Sequence, residues 1–332
     1  MTPQFQLPRG TPDSGPRQVK VLSLSGGGYR GLFSAQLLAR LEAALDAGAA
    51  PGLARPIGER FDLIVGTSIG GILACGLSLG SSAARLAQTL QRHGPRIFPP
   101  LRLRALRKLV GKAPYDPRRL RRAIQECVGA QQAAAPLAEH PRPLLLTTVD
   151  WTSSRLHLLG SKGSGQADRL GLSLMDAMLA TSAAPAHFPS HRVAGHLFVD
   201  GGLAANAPDL LALRAAQTLW PGAELRLLSV GTANPLAGRD PAKLPQRGLG
   251  WAAPTIELCM HAQELHAVEQ CAALLGPTRY LRLNAHPSAA QVGQVDFDVA
   301  TPTSTKILLS LADDLARQQL EPAQRARLMA ML

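Results

Sequence analysis

The residues Gly66-Thr67-Ser68-Ile69-Gly70 read G-x-S-x-G, and they follow a short apolar, β-prone run from Phe61 to Val65. The stretch from Ile69 to Leu79 then suits a helix. A strand that turns sharply into a helix holds a serine hydroxyl on the bend and points the free amides of the helix's first turn at the same place. The chemistry open to such a serine is nucleophilic attack on a carbonyl carbon, with the amides receiving the negative oxygen. Gly66 and Gly70 belong where the chain crosses itself too closely for a Cβ.

A serine nucleophile needs a base, most often a histidine oriented by a carboxylate. The nine histidines supply no distinctive context. His187 and His191 flank Phe188-Pro189, while His261 and His266 are five apart on a helical pattern and do not share a face. That spacing also removes Glu264 and its neighbours from an H-E-x-x-H metal site, and no metal is expected. Asp200 is the better base. A short strand, His196 to Val199, delivers it, and Gly201 and Gly202 free it to approach another backbone. A carboxylate is the weaker base by about two pKa units, but partial burial raises it. Spacing alone also allows Asp200 to be a turn residue.

A third glycine-rich piece, Ser25 to Gly31, ends the first strand-like run at Val19–Ser25. Gly26, Gly28 and Gly31 satisfy G-x-G-x-x-G, which invites a dinucleotide site. Such a site also needs an acid at the end of the next strand, about 20 residues on. The next strand comes only at Phe61, carries Asp62 at its start, and ends in the serine turn. The other use of the loop is an oxyanion hole, with amides near Gly27 and Gly28 facing one oxygen. Arg30 adds charge there or sits in solvent.

The elements that must position these groups alternate. After the loop, Leu37, Leu41 and Leu45 mark a helix. Leu144–Val149 and Arg155–Leu159 read as strands around a turn, and Ser173–Ala180 as a helix. Pro208 opens a helix to Trp220, and Leu225–Val230 is a buried strand. Pro254 opens a long helix through Leu275, Arg279–Leu283 is a strand, and Ile307, Leu311 and Leu315 mark a last helix. Strands alternating with helices predict an α/β fold of three layers, α/β/α, around a mostly parallel sheet. Residues 1–18 read as a loose leader and 19–332 as one domain, with core motifs at 19–232 and a helical C-terminal part at 251–332.

The net charge of +12 is local: residues 85–122 hold twelve Lys/Arg and one acid, Asp116. In that segment leucines alternate with Arg102, Arg104, Arg107 and Lys108, and prolines at 95, 99, 100, 114 and 117 break it at both ends. It suits a mobile cap, a contact with anionic lipid, or a solvated face. No aromatic interleaving or reading motif supports nucleic acid as a partner. Cys75, Cys127, Cys259 and Cys271 lack C-x-x-C spacing and read as reduced, mostly buried thiols of a cytoplasmic protein. The uncharged run Leu63–Ala84 is long enough to span a bilayer, but its five glycines and the serine turn argue for a buried strand, turn and helix.

Taken in order, Ser25–Gly31, Gly66–Gly70 and Asp200–Gly202 resemble the three signature motifs of the patatin-like phospholipases, G-x-G-x-x-G, G-x-S-x-G and D-G-A/G. Thr181-Ser182-Ala183-Ala184-Pro185 resembles a segment of that family lying between the last two. The resemblance implies a metal-free lipid acyl hydrolase with a Ser–Asp dyad. Ser68 falls on the nucleophile and Asp200 on the proton acceptor, with Gly26, Gly27, Gly28 and Arg30 on the oxyanion hole. The fuller wording around these motifs, Val199 to Pro208 included, is similar to the bacterial phospholipase effectors of CBASS anti-phage systems. That narrower likeness implies activation by a cyclic dinucleotide of the cGAMP type. It also implies membrane phospholipid as substrate, action at the inner face of the membrane, and an activation-linked homo-oligomer. A constitutive lipase or thioesterase without nucleotide control, and a non-catalytic nucleotide-binding protein, are the alternatives.

Overall fold

The computed structural model describes residues 16–47, 55–99, 113–235 and 252–332. In chain order the elements are β1 (Gln18–Leu24), α1 (Gly31–Asp46), β2 (Leu63–Thr67), α2 (Ile69–Ser78), α3 (Ala83–Ile97), α4 (Pro117–Val128), α5 (Ala130–Ala134), β3 (Leu144–Asp150), β4 (Arg155–Gly160) and α6 (Leu174–Thr181). There follow β5 (His191–Val193), β6 (His196–Asp200), α7 (Gly202–Ala205), α8 (Asp209–Leu219), β7 (Glu224–Val230), α9 (Ala252–Leu275), β8 (Tyr280–Leu283), α10 (Pro302–Leu320) and α11 (Pro322–Met331).

The strands form one sheet in the order β5-β6-β3-β2-β1-β7-β8, with β4 paired to β3 off that path. The pairs β1–β2, β1–β7, β2–β3 and β7–β8 are parallel, and the β4, β5 and β6 pairings are antiparallel. Successive residues of a strand face opposite sides, and here they feed two cores. Leu22, Leu24, Ile64 and Leu146 join α1, α2, α3, α4, α6 and α10 on one face. Val19, Val21, Leu63 and Val65 join Leu213 and Ala216 of α8 and Cys271 and Leu275 of α9 on the other. This is the expected three-layer α/β/α arrangement with a mostly parallel sheet.

Two sequence expectations change. Pro95 does not end its helix: α3 runs on to Ile97. A proline removes the amide bond to the residue four back, and in the last turn that single bond is all it forfeits. The ends of the basic segment are therefore ordinary packed helices, α3 and α4, not one broken cationic piece. Pro254 does not open its helix either; α9 starts at Ala252. Arg102, Arg104, Arg107 and Lys108 lie outside the described residues, as do residues 1–15 of the leader. Among the described residues no helix is long and apolar enough to cross a membrane. Cys75, Cys127 and Cys271 are buried free thiols, while Cys259 is exposed.

Candidate active site

Two strands of opposite sense meet along one edge of β3. β2 runs parallel to β3 and ends with Thr67 opposite Thr147; β6 runs antiparallel and ends with Asp200 opposite Thr148. β4 occupies the other edge over the same residues. The C-terminal ends of β2 and β6 therefore converge, and Ser68 meets Asp200 across 132 positions of sequence. Hydroxyls brace the junction: Thr67 Oγ1 lies 2.7 Å from Thr147 Oγ1, and Thr148 Oγ1 donates to the Val199 carbonyl at 2.8 Å.

Ser68 sits at φ 55° and ψ −123°, a conformation that residues with a Cβ rarely adopt and that must be held by their surroundings. Its amide donates to Thr181 Oγ1 at 2.9 Å, and its carbonyl accepts the Gly71 and Ile72 amides. The flanking glycines are fixed by contact. A Cβ on Gly66 would lie 2.4 Å from the Gly70 carbonyl oxygen, and one on Gly70 would lie 2.3 Å from that of Leu24. The bend is therefore wedged between α2 and the end of β1.

Ser68 Oγ donates to Asp200 Oδ2 at 2.6 Å, and the Gly202 amide donates to Oδ1 at 2.7 Å. Both side chains are nearly sealed, at 4% and 5% exposure. Burial pushes the Asp200 carboxyl up to about 6, against the opposing pull of those two hydrogen bonds. A carboxylate so placed is basic enough to take a hydroxyl proton near neutral pH. Gly201 packs its backbone against Thr147.

The glycine loop passes beside this pair. Gly28 has φ +58°, and a Cβ there would lie 2.3 Å from the Phe297 carbonyl oxygen, which accepts the Tyr29 amide at 2.8 Å. Gly31 opens α1 against Ile69. The sequence placed Gly26, Gly27, Gly28 and Arg30 together in an oxyanion hole, and the geometry divides them. The Gly26 amide is taken by the Asn206 carbonyl at 2.9 Å. The amides of Gly27 and Gly28 donate to no acceptor among the described residues. Arg30 is buried, not in solvent, and its Nε has no hydrogen-bond partner among the described residues. Burial lowers its guanidinium from the usual value, and Asp296, Glu264 and Glu257 oppose that shift.

Above Ser68 opens an apolar cavity with about 540 Å³ of empty space, mouth included, lined by Ile72, Leu90, Ile97, Phe98, Ile124 and others. Its walls come from α2, α3 and α4, so the inner faces of the basic segment's helices build it. Gly28 and Ser68 supply its polar floor.

Sequence reasoning missed a buried polar chain behind the glycine loop. Arg282 on β8 donates to Ser25 Oγ at 2.9 Å, to Ser229 Oγ at 2.7 Å and to Glu264 Oε1 at 2.6 Å. Glu264 Oε2 accepts Asn206 Nδ2 at 2.7 Å, and Gln263 Nε2 donates to the Gly202 carbonyl at 2.7 Å. Helix α9 thus holds both the loop before Gly26 and the turn after Asp200. The available signals were a lone charge in an apolar strand, Arg282, and Asn206 within the run from Val199 to Pro208. Among the described residues no cluster of His, Cys, Asp or Glu could hold a metal ion.

A model of the patatin-like phospholipase family matches residues 22–213, which spans the glycine loop, the serine turn and Asp200. The chain is 32% identical to a Vibrio cholerae protein named cGAMP-activated phospholipase, over 91% of each chain. It is 33% identical to a Pseudomonas aeruginosa protein of the same name, over 88% of this chain and 81% of that one. A third so named, from Escherichia coli, is 38% identical over 59% of this chain and 55% of its own.

Proposed function

The chain belongs to the patatin-like phospholipase family and is a lipid ester hydrolase, and from that premise we propose a Ser68–Asp200 dyad that cleaves acyl esters of membrane phospholipids. The observation that carries this is the 2.6 Å hydrogen bond from Ser68 Oγ to a buried Asp200 at the floor of an apolar cavity. Asp200 takes the Ser68 proton as Oγ attacks the ester carbonyl. The Gly27 and Gly28 amides receive the tetrahedral oxyanion, each good donor being worth roughly 3 kcal/mol. Gly26, its amide already donated to the Asn206 carbonyl, shapes the loop without reaching the oxyanion. The alcohol leaves with the proton held by Asp200. A water, deprotonated by Asp200, then attacks the acyl-serine and releases the fatty acid.

We further propose that a cyclic dinucleotide of the cGAMP type switches this activity on, in defence against phage. The names and coverage of the three relatives support that reading. Residues 19–332 would then act as one catalytic domain at the inner face of the membrane, with Arg102, Arg104, Arg107 and Lys108 meeting anionic lipid. The test is fatty-acid release from phospholipid vesicles, with and without a panel of cyclic dinucleotides, using Ser68→Ala as the blank. Release that depends on one nucleotide supports gating. Release without any leaves a constitutive lipase, and none above the blank removes the dyad.

A further inference from the structure

Beside the cavity over Ser68 lies a second cleft of about 720 Å³ of empty space, mouth included, and the two share Leu120, Ser182 and Phe188 in their walls. The first cavity is apolar. The second adds Arg118, Arg121, Ser190 and His191. Its inner end lies against the dyad's supports: Ser182 follows Thr181, whose hydroxyl accepts the Ser68 amide, and the Ala183 carbonyl accepts the Asp200 amide. A molecule with one arm in each space would pass Leu120, Ser182 and Phe188, with its apolar arm in the cavity that Ser68 lines.

The two arginines are three residues apart on α4, one turn and one face, where like charges repel. Two neighbouring cations have partners, Arg92 with Glu126 and Arg119 with the Arg96 carbonyl; Arg122 has none among the described residues, but it does not line the cleft. The side chains of Arg118 and Arg121 are exposed and find no hydrogen-bond or ion-pair partner among the described residues. Asp176, the acid nearest His191, is occupied by that ring at 3.1 Å. An anion with several oxygens between Arg118 and Arg121 would relieve their repulsion and accept from both.

We propose that this cleft is a phosphodiester subsite in which Arg118 and Arg121 grip the anion while an acyl chain fills the neighbouring cavity. The proposal rests on the lipid acyl hydrolase reading of Ser68. A phosphodiester reaches such a site on a phospholipid or free, as a cyclic dinucleotide, and the test separates the two.

Arg118→Gln/Arg121→Gln is compared with the parent on monomeric dioctanoyl phosphatidylglycerol and on neutral p-nitrophenyl octanoate, with Ser68→Ala as blank and thermal melts to verify folding. If the site takes the headgroup, the ratio of kcat/KM for phospholipid over neutral ester falls about tenfold, through KM. The double lysine variant then restores part of the ratio. If the site takes the free ligand, the ratio holds while the cyclic dinucleotide concentration needed for half activation rises about tenfold. A folded variant with both quantities at parental values overturns the proposal and leaves the dyad standing. Parental hydrolysis of the neutral ester no faster than the blank, with the cyclic dinucleotides of the panel present, defeats the hydrolase reading instead.

Discussion

Asp200→Asn is expected to abolish hydrolysis and, at pH 8, to make the protein more stable. The folded protein holds the Asp200 carboxyl at about 6 because burial opposes its charge. In the unfolded chain the same group titrates near its ordinary value of about 3.9. Between these values the folded state binds the proton more tightly, so stability falls as pH rises through that window. Below about 4 both states are protonated and the loss is absent; above about 6 both are ionised and it is complete. A difference of about two units corresponds to about 3 kcal/mol. Asparagine keeps the shape, carries no charge and pays none of this. The expected result is a higher Tm for the variant at pH 8 by several degrees, narrowing to little at pH 4.

The same carboxyl must be ionised to accept the Ser68 proton, so kcat/KM of the parent should rise through about pH 6 and then level. Loss of the base should cost roughly 10²–10⁴-fold in rate. Calorimetry of both proteins across pH 4 to 8, beside esterase assays, reads all of it. A variant less stable than the parent at pH 8, or a stability gap independent of pH, would refute the claim that the site opposes the charge it uses.

Three further outcomes follow from the contacts. Glu264→Ala leaves Arg282 buried without its carboxylate, the two side chains being 6% and 14% exposed. It should cost about 3–5 kcal/mol in denaturant unfolding, with Glu264→Gln milder because an amide oxygen can still accept. Gly70→Ala drives a Cβ to 2.3 Å from the Leu24 carbonyl oxygen. It should destabilise by about 1–3 kcal/mol and slow fluorophosphonate labelling of Ser68 beyond what the stability loss explains. Ile72→Trp fills the cavity beside Ser68. It should lower kcat/KM for long-chain esters about tenfold or more relative to butyryl esters, measured as a chain-length profile.

The parts of the site legible in the sequence are those fixed by local geometry. The serine turn needs a strand, two glycines and a helix in immediate succession, and these are adjacent residues. Asp200 was legible as a strand end followed by glycines. What brings it to Ser68 is the register of β2 and β6 on one edge of β3, which no local pattern encodes. The Gly26 amide illustrates the limit more sharply. Its residue type and place suit an oxyanion donor, yet the amide is consumed by Asn206, a residue of the turn after Asp200.

The basic segment shows a different kind of loss. Its net charge drew attention to its solvent face, whereas Leu90, Ile97, Leu120 and Ile124 on the same helices line the cavity over Ser68. An amphipathic helix carries two messages, and counting charge reads only one. The second message bears on function here. The helices that wall the apolar cavity also set Arg118 and Arg121 beside it, so one helix, α4, presents a hydrocarbon-compatible face and a cationic one to adjoining spaces. A phospholipid has that same division between acyl chain and phosphate. Of the positive charge that α4 carries, Arg118 and Arg121 line the cleft beside the apolar cavity, and the paired variant tests whether that placement serves the site.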